Sequence, residues 1–118
     1  MDPKTAVLNY QYGERAKSEL ILASKLIAGL TGFSEIEKAG GKKMVLLMLD
    51  GIRSEIEFAR ESTHHASFPK AIEALNATIS MVEGGNLDEA IPKVAEAVSA
   101  ATTVAQESWE ALAAHGLL

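Results

Sequence analysis

The chain has 118 residues, no cysteine and a formal net charge of −5, which fits a single helical domain spanning 1–118 and excludes disulfide, thiolate and Cys-ligated metal chemistry. Apolar residues make up 47% and aromatic residues only 5%, so a core must come from Leu, Ile, Val, Met and Ala; a chain of this size can bury one without cross-links. The acidic excess concentrates from Asn86 onward, and Lys38, Lys42 and Lys43 form the only basic cluster, so without a basic stripe to release phosphate counterions no nucleic-acid partner is expected.

Apolar residues recur with gaps of three and four, the spacing that keeps them on one helical face. In the first segment the seam is Leu8, Tyr12, Ala16, Leu20, Ala23, Ile27 and Leu30. Asp2 before Pro3 marks its start, because proline is tolerated where its missing N–H would be unpaired, and Thr31-Gly32 marks its stop. The second seam is Val45, Leu49, Ile52, Ile56, Ala59 and Thr63. Ser34 and Glu37 read as a capping box, but Gly40-Gly41 weakens a helix by about 1 kcal/mol per glycine. Two outcomes are open: a break followed by a main helix from Lys42, or one helix from Ser34 with a soft point.

The third seam is Phe68, Ile72, Leu75, Ile79 and Val82, started by Ser67 and Pro69 and stopped by Gly84-Gly85. The fourth is Leu87, Ile91, Val94, Val98, Ala101, Ala105, Trp109 (or Ser108) and Leu112. Asn86 with Glu89 predicts a second capping box, and Gly116-Leu117 predicts a Schellman turn. Pro92 should bend this helix or move its start toward Asp88. No segment shows strand alternation or a hairpin turn. The expected fold is all-α: a four-helix up-down bundle with a short third helix and a long, overhanging fourth helix.

Helix lengths carry a further expectation. At 1.5 Å per residue the first, second and fourth helices reach roughly 40 Å and the third about 22 Å. The fourth should overshoot, leaving an apolar seam of Ala105, Trp109 and Leu112 to cover. A two-fold homodimer interface through these three residues is the expectation, since such dimers are the commonest oligomers.

The densest group of chemistry-bearing side chains is Arg60-Glu61-Ser62-Thr63-His64-His65. Glu61 and His64 form a Glu-x-x-His, which resembles half the ligand set of ferritin-like di-iron bundles. That resemblance implies a second such motif, which the chain lacks, so Glu61, His64 and His65 remain only as an alternative mononuclear metal site. Arg60-x4-His65 resembles the Arg-x4–6-His signature of HEPN-type ribonucleases, small all-α bundles that often dimerise. The resemblance implies catalysis on RNA by Arg60 and His65 at a dimer cleft. Against it, the same residues suit a helix end, where histidines complement the negative end of the dipole.

Glu107-x-x-Glu110 resembles one half of the magnesium motifs of all-α nucleotide pyrophosphohydrolases, but no Glu-x-x-Asp supplies the other half, and Mg²⁺ needs several oxygen ligands. "EGGNLDEAIPKVAEAV" (Glu83 to Val98) resembles the second half of a tetratricopeptide hairpin and implies helix packing and protein interaction, without a repeat at about 34 residues. The start of the chain has no signal-peptide pattern. The longest apolar run, Met44 to Leu49, is far short of the roughly 18 residues that span a bilayer. The leading expectation is a cytoplasmic, cofactor-free, non-enzymatic helical module that forms a homodimer and binds another protein. A HEPN-like ribonuclease is the alternative.

Overall fold

The structure, a computed structural model, describes residues 1–118 as four helices, α1 (Pro3–Leu30), α2 (Glu35–Thr63), α3 (Ser67–Glu83) and α4 (Leu87–Ala114), with no strand. Local chemistry sets most of the ends. The Asp2 carboxylate accepts the Thr5 N–H at 2.9 Å, with Pro3 in the first turn. Ser34 and Glu37 close a full capping box, each side chain taking the other's backbone N–H. α3 stops in a turn where Gly85 takes φ 79° and the Asn86 N–H reaches back to Met81 O. α4 stops likewise, with Gly116 at φ 71° and Leu117 N–H bonded to Leu112 O. Both are Schellman turns, which glycine enters without a Cβ penalty.

The structure takes one of the two outcomes open for α2 and departs from the capping signal at Asn86. α2 runs unbroken through Gly40-Gly41. At Gly41 a Cβ would collide with Leu30 Cδ2 and crowd the Phe33 ring, so this glycine lets the α1–α2 turn fold against the helix. The capping box of Asn86 and Glu89 does not form: Asn86 sits at φ −88°, ψ 63° and caps nothing with its side chain. Its backbone is already committed to the turn that ends α3. Pro92 lies inside α4, which nonetheless starts at Leu87.

The helices form a ring in which each packs on its neighbours in sequence and α4 closes on α1. All neighbours are antiparallel. Arg15 pairs with Glu55 at 2.7 Å, Lys42 bonds the Glu83 carbonyl at 3.1 Å, and Tyr10 stacks near Trp109 at 5.8 Å. The core is a single cluster including Leu20, Ile27, Leu49, Ile56, Phe68, Leu75, Val94 and Val104. α1 and α4 approach closely at Gly13, where a Cβ would lie 2.9 Å from the Ala105 nitrogen. That approach rotates α4 so that Ala90, Ala97, Val104 and Ser108 are buried, while Ile91 and Val98 are half-buried.

The length mismatch is real, with 17 residues in α3 against 28 in α4. The overhang is not bare, however. α2 and α3 meet at the His64–His65 turn, and beyond it the first turns of α1 run beside the last turns of α4, out to His115 Nε2 near Met1 O at 3.1 Å. Ala105 and Leu112, expected in an exposed dimer seam, are buried within the chain. Trp109, 50% exposed, leans on Tyr10 of its own chain. No helix is long and apolar enough to cross a membrane.

Candidate functional site on the second helix

α2 carries two features: the Arg60–His65 cluster at its C-terminus, and an outer face that none of the other helices covers. At the C-terminus, His64 is the C-cap and takes the left-handed conformation, φ 58° and ψ 26°, with its N–H on Arg60 O. It is the chain's one non-glycine residue at positive φ. This turn swings the chain from α2 into α3 and sends the His64 and His65 side chains to different surroundings. His64 is exposed, whereas the His65 side chain is only 8% exposed.

Both ring nitrogens of His65 are in use. Nδ1 accepts the Ser67 N–H at 3.0 Å, at the first residue of α3. Nε2 lies 2.7 Å from Glu107 Oε2 on α4. Since Nδ1 accepts, the hydrogen-bond pattern assigns the proton to Nε2, which donates to the carboxylate. The ring also stands edge-on to Phe68, with centroids 5.9 Å apart. His65 thus supplies the start of α3 with the acceptor that Ala66, at the N-cap position, cannot provide, and ties the turn to α4.

Arg60 pairs instead with Glu57 at 2.8 Å, one turn back on α2. Glu61 is exposed, and no group of three or more potential ligands assembles around Glu61, His64 and His65 or anywhere else in the chain. Glu107 is taken by His65, and Glu110 lies 3.4 Å from Gln106. The sequence had no way to signal the His65–Glu107 pair, whose members are 42 residues apart.

The outer face of α2 is of another kind. Ile36 is 90% exposed, Met44 68%, Leu47 69% and Phe58 63%. Their spacing puts them in one row opposite the buried seam. Leu22 and Leu26, on the neighbouring antiparallel α1, are exposed as well. The Met44–Leu49 run was the available signal, because six consecutive apolar residues wrap the helix and some must face outward.

At the Phe58 end the row meets a groove of about 360 Å³ between α1 and α2, walled by Tyr12, Ala16, Ile56 and Phe58 and rimmed by Arg15 and Glu55. Tyr12 and Phe58 meet edge-on at 6.3 Å. Arg15 bonds Glu19 at 3.0 Å and Glu55 at 2.7 Å, and its guanidinium is held above its usual range, chiefly by the Glu19 hydrogen bond and then by the Glu55 charge. The Glu55 carboxyl is raised, first by burial and then by neighbouring Glu19, with Arg15 opposing. No protein-family model, curated protein or solved structure matches this chain.

Proposed function

We propose that this protein is a non-enzymatic helical module that works through protein contact and associates with itself through the outer face of α2. The observation that carries the reading is the row of Ile36, Met44, Leu47 and Phe58, each more than half exposed. A folded chain gains nothing from large apolar side chains held in water, and contiguous patches of this kind mark interaction surfaces. The polar cluster at the helix end supports the same reading from the other side. Arg60 and His65 are each bound to a carboxylate of their own chain, and His65 has a structural task in joining α2, α3 and α4.

Light scattering over a dilution series tests the proposal. The expected mass is 12.5 kDa at high dilution and twice that at about 50 μM, where an interface of ordinary quality is populated. A mass that stays at one chain throughout refutes self-association. For the cluster, the expectation is that His65→Ala loosens the α2–α3 turn and alters no RNA turnover.

A further inference from the structure

We infer that the outer face of α2 is covered by α2 of a second copy, packed antiparallel across a two-fold axis at Leu47. This inference rests on the self-association proposed above and specifies its geometry.

The first support is the pattern of side-chain sizes. Leu47 is the centre of the row. Ile36 lies eleven residues before it and Phe58 eleven after; Gly40 lies seven before and Ser54 seven after; Met44 lies three before and Gly51 four after. Reversed end to end, the row fits itself. Gly40 falls on Ser54 of the second copy and Ile36 on Phe58, while Met44 comes within one residue of Gly51. Two-fold interfaces require such self-complementarity, because one patch must serve as both surfaces. The order of sizes also suits crossing helices, which approach closest at the crossing point and diverge toward their ends. Gly40, Gly51 and Ser54 lie between the centre and the bulky Ile36–Phe58 pair, which fills the wider gap.

The two glycines of the row supply the second support. A Cβ on Gly40 or Gly51 would meet nothing within 4 Å. The chain's own packing therefore requires neither, although glycine weakens a helix interior relative to alanine. Gly13 and Gly41, by contrast, sit against neighbouring atoms. A second backbone approaching Gly40 and Gly51 accounts for these two; Gly29, near the end of α1 and off the row, is open as well.

Charge and area agree. Lys43 is exposed on the flank of the row and has no ion partner within the chain. The antiparallel register brings it within one residue of Asp50 of the second copy, which Arg53 of its own chain already holds at 2.6 Å, and symmetry makes this contact twice. On the other flank Glu37 comes opposite Glu55, a repulsion that Arg15, bonded to Glu55 at 2.7 Å, offsets. At roughly 200 Å² for each fully exposed large side chain, the exposed parts of the α2 row with Leu22 and Leu26 come to about 800 Å², the share per partner of a standard interface.

The absence of cysteine makes single engineered thiols clean probes, used with a short bis-maleimide cross-linker and with sedimentation on the same samples. Leu47→Cys is expected to link to its own copy. Ile36→Cys alone is expected not to link, since the two sites lie about 33 Å apart in this register, but to link when mixed with Phe58→Cys. Lys43→Glu should weaken the dimer roughly tenfold, and adding Asp50→Lys to the same chain should restore it. All these positions are exposed, so helical circular dichroism should be unchanged. Self-linking of Ile36→Cys, or a dimer that never links at Leu47, overturns the antiparallel geometry while leaving self-association standing. A wild-type chain that sediments as a monomer overturns both.

Discussion

α2 has two apolar faces, and they differ in what accounts for them. The inner face, Val45, Leu49, Ile52, Ile56 and Ala59, is buried against the other helices. The outer face, Ile36, Met44, Leu47 and Phe58, also carries large apolar side chains on one side of the helix, more widely spaced, yet it stands in solvent. Hydrophobicity alone does not separate them. Only the first is explained by the fold; the proposed association would account for the second. Substitutions on the two faces should therefore part company: inner ones change stability at any concentration, outer ones change the dimer and spare the monomer.

The largest expected effect is on the inner face. Leu49→Ala should cost about 3 kcal/mol of folding stability, the usual toll of deleting a fully buried leucine, read by chemical denaturation at low protein concentration. On the outer face, Leu47→Asp should weaken the dimer about a hundredfold by placing two carboxylates on the axis. The same denaturation experiment should find its monomer stability within about 0.5 kcal/mol of wild type, as for most surface changes. A loss comparable to Leu49→Ala would put Leu47 in the core and erase the distinction.

Glycine substitutions sharpen the comparison, since sign as well as size is at stake. Gly51→Ala should stabilise the monomer by about 1 kcal/mol, as alanine does in an open helix interior, while weakening the dimer. Gly41→Ala should destabilise it, because its methyl meets Leu30 and Phe33. Thermal melts of the two variants, run dilute, should move in opposite directions. At the helix end, His65→Ala removes the acceptor for the Ser67 N–H and should cost about 1 kcal/mol, as for other lost helix caps.

The smallest effect is on pH dependence. Asp2 and Glu37 both have carboxyls lowered from their ordinary values of 3.8 and 4.5, chiefly by the backbone hydrogen bonds to Thr5 and Ser34. A group depressed in the folded state contributes stability above its unfolded pKa and loses it as pH falls through the folded value. Acid titration of stability should show a shallow decline below pH 4. Asp2→Asn with Glu37→Gln should flatten that decline.

Much of the fold was legible in the sequence. Three-and-four spacing located all four helices, and Asp2-Pro3, Ser34 with Glu37, Gly84-Gly85 and Gly116 marked ends that the structure keeps. What was hidden depended on neighbours. The fourth seam is legible at Leu87, Val94, Ala101, Ala105 and Leu112, with Ser108 as the alternative to Trp109, but the close approach of α1 at Gly13 buries Ala97 and Val104 where the spacing favoured Ile91 and Val98. Asn86 has the chemistry of a cap, yet the turn after α3 takes its backbone first. His65 looked like a reactive group because Glu107, which holds it, is far away in sequence. Within Met44–Leu49 the inner seam was identified from its continuation at Ile52 and Ile56. The outer row, with gaps of eight, three and eleven, lacks that three-and-four spacing, and it stands out only once the rest of the bundle leaves it uncovered.

The most direct test of the account is sedimentation equilibrium of the wild-type chain beside Leu47→Asp, each loaded from about 1 to 100 μM, a range that brackets a micromolar dimer. The account predicts a wild-type chain that moves from one to two copies over this range, and a variant that stays at one with unchanged helical content. A monomeric wild type, or a Leu47→Asp chain that dimerises as tightly as wild type, would contradict it.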